Sequence, residues 1–334
     1  MAEYKELRGL TIQTVAGDPS PLQIGDIWYS STTRKIRGAK RATGAWSTGG
    51  ALTTGHRNMG LTGPATAAMC MGGLNTFITN TEQYDGSSWT EVADLNQGVE
   101  YNVAFGTQTA AVHTGGIYGP PNLVTNNTET WNGASWTTSP ANMNTARQKM
   151  SAANLGTTTA GLIFAGMFEP SVGKTVVESW DGSAWTEIAD ISTARSFGQG
   201  GGIQTAAFLA GGYTSPPGVY YAVHETWDGS SWTEAADINT DRQAGGSSGT
   251  VTSALIYAGR KGSPGPPGVN VEVCEQWDGT SWTEVADLSI TRQGCGRGTG
   301  ATGYSALCCG FDGSPNTATE EWDAAVTASS FTSS

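Results

Sequence analysis

At 334 residues, with a formal charge of −12, 47 glycines and only 14% charged residues, the chain reads as β-rich and turn-rich, with little place for helices. No apolar stretch approaches the roughly 18 residues of a membrane span, and no basic leader precedes an apolar run, so a soluble chain without an export signal is expected. Five cysteines (Cys70, Cys274, Cys295, Cys308 and Cys309) lack C-x-x-C spacing, which argues against a disulfide framework, and the three histidines, His56, His113 and His224, stand at unlike places, which argues against a metal site.

The charge is uneven. Residues 1–41 hold seven basic and four acidic residues, a net +3, while the remainder holds ten against twenty-five, a net −15. An acidic body is repelled by phosphate backbones, so nucleic acid is excluded as a partner of that part. The basic head suits an acidic protein surface instead.

Residues 1–33 stand apart from the rest of the chain. They predict one strand over Leu10–Val15, a turn at Gly17-Asp-Pro-Ser-Pro21, and the segment Gly25-Asp-Ile-Trp-Tyr29. This region is read as an N-terminal docking arm, with Trp28, Tyr29, Arg34, Lys35 and Arg37 as its contact residues. Residues 34–334 form the second domain.

From residue 46 a repeat takes over. Its clearest station is an aromatic hairpin: Tyr84-Asp-Gly-Ser-Ser-Trp89, Trp131-Asn-Gly-Ala-Ser-Trp136, Trp180-Asp-Gly-Ser-Ala-Trp185, Trp227-Asp-Gly-Ser-Ser-Trp232, Trp277-Asp-Gly-Thr-Ser-Trp282, and a truncated copy at Trp322. Asp-Gly between aromatic residues signals a tight turn, because glycine accepts the positive φ that it demands. The first aromatics are 47, 49, 47, 50 and 45 residues apart, a period of the propeller range. Each unit also carries a Gly-rich segment after an arginine, suited to crowding near a central axis, and an unbroken apolar run such as Ala206–Gly212, suited to a strand covered on both faces.

Six apolar runs predict six four-stranded blades. The outer tryptophans are also six, but displaced by one unit: Trp46 comes before any inner strand, and the hairpin at Trp322 has no second arm. The two defects complement each other. Trp46 and Trp322 are therefore expected to share one blade and close the ring, leaving no free edge.

The diglycines at Gly72-Gly73, Gly115-Gly116 and Gly211-Gly212, each with an aromatic pair downstream, resemble the kelch family of propellers over about residues 46 to 323. The resemblance implies an all-β, six-bladed kelch-like fold. The opening Asp18-Pro-Ser and Gly25-Asp-Ile-Trp-Tyr29-Ser-Ser-Thr-Thr33, leading into Ser/Gly/Thr-rich repeats, is similar to structural and tail-associated proteins of tailed bacteriophages, particularly marine ones. That similarity implies a virion component made in the host cytoplasm.

Arg147, Arg195, Arg242 and Arg292 share one station, with Arg57 as the expected counterpart in the first unit; Asp190, Asp237 and Asp287, five residues before an arginine, are the expected ion-pair partners. Glu82, Glu129, Glu178, Glu225, Glu275 and Glu320 each precede the first hairpin aromatic by two, a spread around the ring that suits structure rather than a catalytic pair. No catalytic residue, cofactor or metal is assigned. The most individual loops come after the second strand, at 118–122, 168–171, 213–218 and 262–268, and bring Tyr118, Phe168, Tyr213, Tyr220 and Tyr221 to one face as candidate binding residues.

The sequence thus predicts a non-enzymatic virion structural protein, homo-oligomeric in the particle, attached to other virion proteins through its arm and contacting host surface glycans or neighbouring proteins through the loop face. The alternatives are a free carbohydrate-binding lectin or adaptor propeller and, behind them, a glycoside-processing enzyme.

Overall fold

The computed structural model describes residues 12–331 apart from 75, 169–171, 217, 263–267, 297 and 314–315. Lys5 and Arg8 of the basic head, the start of the Leu10–Val15 strand and most of the 262–268 loop lie outside the described residues. No helix occurs among the described residues, and so none that could cross a membrane. The chain divides into two compact units, Ala45–Asp323 and a smaller one built from the chain before and after it.

The smaller unit is a four-stranded sheet. Gln13–Val15 runs parallel to Ile27–Ser30, which pairs antiparallel with Lys35–Arg41, which in turn pairs antiparallel with Val326–Ser330. Trp28 is its main buried side chain, with the Arg37 guanidinium 5.9 Å above the ring and bonded to Asp18 at 2.6 Å. The domain boundary expected at residue 33 falls in the turn between two strands of this sheet, because Lys35–Arg41 finds its partners in Ile27–Ser30 and in the C-terminal strand.

The larger unit is a succession of antiparallel sheets of the propeller-blade kind. Gln199–Ile203, Ala206–Ala210, His224–Trp227 and Trp232–Ala235 succeed one another in chain order across a four-stranded sheet, and the same meander recurs with innermost strands Gly60–Thr62, Val103–Thr107, Ser151–Ala152 and Gly246–Thr250. The second strands, such as Ala206–Ala210, read apolar throughout because sheets pack on both of their faces. Leu162 and Phe164 of one sheet meet Ala207, Leu209, Trp227 and Trp232 of the next. Crowding on the inner strands leaves no room for side chains: a Cβ on Gly200 would lie 2.7 Å from the Phe164 ring.

A three-stranded sheet orders Ser305–Cys309, Thr319–Asp323 and Ala45–Thr48, with Trp322 opposite Trp46 and Asp323 opposite Ala45. The two indoles lie 5.6 Å apart. Leu61, Tyr84 and Trp89 pack with Leu307 and Cys309, so the first sheet after Ala45 shares a core with the last.

The hairpin turns share one recipe. The Asp228 carboxylate accepts from the Ser230 and Ser231 amides, both at 2.8 Å, while Gly229 takes φ +97°. Backbone donors and the Ser230 hydroxyl hold the Asp228 carboxyl down at about 2. Asn132 makes the same two amide contacts without a charge, which is why Asn-Gly stands in one copy.

The outer tryptophans tie neighbouring sheets together. Trp89 Nε1 donates to Thr319, Trp136 to Thr81 and Trp185 to Thr128, at 3.0–3.1 Å; Trp282 donates to His224 Nδ1 and Trp46 to Cys274 Sγ. Each acceptor stands one residue before the recurrent glutamate of another sheet. At Val177 that place offers no acceptor, and Trp232 Nε1 is buried without a partner.

Candidate functional site at the loop face

The recurrent glutamates are buried, and each accepts a backbone amide from the segment that leads into its own sheet: Thr53 to Glu82, Asn96 to Glu129, Asn144 to Glu178, Ser192 to Glu225, Asn239 to Glu275 and Ser289 to Glu320, at 2.6–3.0 Å. Four of them also hold the repeated arginine. Arg147 meets Glu178 at 2.8 Å and Arg195 meets Glu225 at 2.5 Å, with Arg242 on Glu275 and Arg292 on Glu320. All four arginines are fully buried within their sheets.

This corrects the expected pairing with Asp190, Asp237 and Asp287. A buried guanidinium needs a carboxylate that is itself withdrawn from water, whereas Asp190 is taken by the Thr175 hydroxyl at 2.7 Å and Asp287 by the Cys274 amide at 3.2 Å. The counterpart in the first unit is also not Arg57 but His56, whose Nε2 lies 3.2 Å from Glu82. Burial alone would raise the Glu82 carboxyl, but bonds from His56 and the Thr53 and Thr54 amides outweigh it and keep it below its ordinary value. In the second unit Val99 fills the arginine's place, and Glu129 lies opposite His113, whose burial pushes its own pKa down to about 4.

Just after the arginine station, six residues adopt a left-handed backbone: Asn58, Tyr101, Lys149, Phe197, Ala244 and Gly294, with φ between 52° and 67°. Their backbones form a circuit. Tyr101 N–H donates to Asn58 O, Lys149 to Tyr101, Phe197 to Lys149, Ala244 to Phe197, Gly294 to Ala244, and Asn58 to Gly294, at 2.7–3.1 Å. Left-handed φ costs a non-glycine residue roughly 1–2 kcal/mol, and here it is the conformation that turns each carbonyl toward the next unit.

The side chains above this circuit differ. Tyr101 and Phe197 lie edge to face at 5.6 Å, with the Lys149 ammonium 4.8 and 5.0 Å from their rings. At Ala244 and Gly294 there is almost no side chain, and a cavity of about 190 Å³ opens there, walled by Gln243, Gln293, Arg260 and Asp312. Arg57 bridges Asp312 and, at 3.6 Å, Glu100, whose burial raises its carboxyl above the usual value despite a 3.0 Å bond from Asn58.

The loops after the second strands come back to the same face. Ile117–Tyr118 with Leu123–Val124, Met167–Phe168 with Val172–Gly173, Tyr213–Thr214 with Val219–Tyr220, and Arg260–Lys261 with Val269–Asn270 form two-stranded hairpins. Each bridges to the residue before a circuit member, as Gln243 does to Arg260. The candidate aromatics Tyr118, Phe168, Tyr213, Tyr220 and Tyr221 are all half-buried here. Tyr213 and Tyr220 pack edge to face at 5.0 Å, and Phe168 carries Lys174 Nζ 4.0 Å from its ring. The exposed apolar tips are Leu123, Val172, Val219 and Val269, one per hairpin, which sequence reasoning misses because a single valine carries no local signal.

Of the five arm residues, Trp28 is internal to the small sheet, Arg37 is half-buried and bonded to Asp18, Tyr29 is half-buried, and Arg34 and Lys35 are exposed. Trp46 and Trp322 stand side by side on paired strands.

The chain shares its fold with a solved structure described as "Structure of YjhT", at a TM-score of 0.68 and 12% identity over 84% of this chain and 99% of that one. No family model and no curated protein matches the sequence. The propeller-like architecture is thus common to two chains with little sequence in common.

Proposed function

We propose that residues 45–323 form a closed six-bladed propeller of kelch type that serves, without catalysis, as a rigid support for its loop face. The circuit of six backbone hydrogen bonds that returns to its first member carries this reading. The tryptophan links favour it too, since Trp89 reaches Thr319 across the two ends of the repeat array. So does the state of the recurrent glutamates: each is bound within its own sheet, unlike a carboxylate pair poised for proton transfer.

The biological setting rests on the similarity of residues 18–33 to phage structural proteins: a component of a tailed-phage particle, joined to other virion proteins through the N-terminal segment. Mass spectrometry of purified particles tests it. Stoichiometric recovery of the chain, lost when residues 1–44 are removed, is the expected result; a chain found only free in the lysate rejects the virion role.

A second reading, a free lectin, is favoured by two clefts at equivalent places, of about 380 and 370 Å³, beside Trp227 and Trp277. A glycan array separates the readings. Binding to isolated glycans that survives removal of residues 1–44 supports the lectin, and dependence on Tyr213 would assign it to the loop face.

A further inference from the structure

Among the described residues of 45–323 there are nine Lys and Arg side chains, and their distribution is one-sided. Arg147, Arg195, Arg242 and Arg292 are consumed in buried ion pairs. The other five, Arg57, Lys149, Lys174, Arg260 and Lys261, all stand at the loop face, by the circuit or on its hairpins. The exposed glutamates, such as Glu91, Glu187, Glu234 and Glu284, lie on the outer strands. A basic mouth on an acidic body focuses anionic partners onto one place.

The mouth is also built to receive something. Of the carboxylates at the mouth, Asp312 is matched by Arg57 and by Gln293 at 3.2 Å and Glu100 by Asn58 and Arg57, while Asp241 stands against Gly262 of the neighbouring hairpin. Lys174, Arg260 and Lys261 make no ion pair among the described residues. Gln243 lines the cavity beside Gln293 and Arg260. Around this polar centre stand the exposed Leu123, Val172, Val219 and Val269, an apolar rim that suits a polypeptide better than a free small acid.

We propose that the loop face binds an acidic, aliphatic-containing segment of a protein partner, with a carboxylate side chain seated in the cavity over Ala244 and Gly294 beside Arg260, Gln243 and Gln293. This rests on the reading of the loop face as the presenting surface. The space exists because Ala244 and Gly294 stand where other units place Tyr101, Lys149 and Phe197.

Two synthetic peptide pools, one of Asp, Glu, Leu and Gly and one of Lys, Arg, Leu and Gly, are passed over the immobilised full-length chain at low and high salt. The acidic pool should be retained and released by salt, and the basic pool should pass through. For a retained peptide, the double change Arg260→Gln and Lys261→Gln, and separately Ala244→Phe, should each weaken binding about tenfold or more with thermal melts unchanged. Free glutarate, the small-carboxylate arm, should compete only weakly. Equal retention of both pools, retention of neither, or glutarate binding as tightly as the peptide overturns the proposal. Acidic peptides insensitive to both mouth variants but lost with Leu123→Asp overturn the cavity assignment alone and leave the presenting face standing.

Discussion

At the scale of single residues the informative groups are the buried charges. Burial pulls the Arg195 guanidinium down from its ordinary value, and the facing Glu225, pushed up by its own burial, is held below the carboxylate range by Arg195 and the Ser192 amide. Both therefore stay charged. Glu225→Gln leaves Arg195 buried without its counter-ion and should cost about 3–5 kcal/mol in urea unfolding, whereas joint replacement of both by apolar residues of similar volume should cost far less. Val177→Thr should act in the other direction, giving Trp232 Nε1 the acceptor that Thr128 gives Trp185, with a gain of about 1 kcal/mol. The histidines set the pH response. Burial drives His113 and His224 down to about 4, below the ordinary value near 6.5, so the neutral form is the one the fold keeps. Their contribution is complete above pH of about 6.5. As pH falls from there toward 4 the unfolded chain takes up protons that the folded one refuses, and stability drops by up to about 1.4 kcal/mol per pH unit for each histidine. Urea midpoints at falling pH should show this, and His224→Gln should flatten the slope. The low-lying carboxyls of Glu82 and Glu225 add their own loss only below the ordinary carboxylate range.

At the scale of the element, the hairpin and its glutamate anchor act as one device. The turn brings Trp227 opposite Trp232, and the strand between the turn and the loop face places Glu225 to receive the incoming chain at Ser192. Gly229→Ala would meet no closer atom than the Thr205 carbonyl at 3.3 Å, so its cost is conformational: at φ +97° about 1–2 kcal/mol, read as a shift in the urea midpoint with unchanged slope. This level was largely legible in the sequence. Asp-Gly between aromatics specifies its own turn, and a glutamate two residues before an aromatic must share its face. The misassigned partners mark the boundary of that legibility. Asp190 is close to Arg195 in sequence, yet Glu225, thirty positions on, is its neighbour in space. Sequence proximity is a poor guide once the fold brings the segment ahead of a sheet's first strand and the sheet's third strand to one buried point.

At the scale of the whole molecule, the pairing of Asp323 with Ala45 brings the two ends of the larger unit into register. A permutant that joins Asp323 to Ala45 by a short Gly/Ser linker and opens the chain between Gly119 and Pro120 should fold to the same all-β spectrum. If it aggregates while the linear 45–323 fragment folds, the closed ring is wrong. Trp46→Ala should cost about 2 kcal/mol, since the indole packs on Trp322 and Tyr257. The repeat period, the strand types and the complementarity of Trp46 with Trp322 were determined by the sequence alone, because each rests on local turn chemistry and on a pattern that recurs at fixed spacing. The tertiary structure alone decided that the C-terminal strand completes the small sheet, that His56 rather than Arg57 faces Glu82, and that a cavity opens over Ala244 and Gly294. Those outcomes depend on which side chains meet across hundreds of residues, and on what a neighbouring unit leaves unfilled.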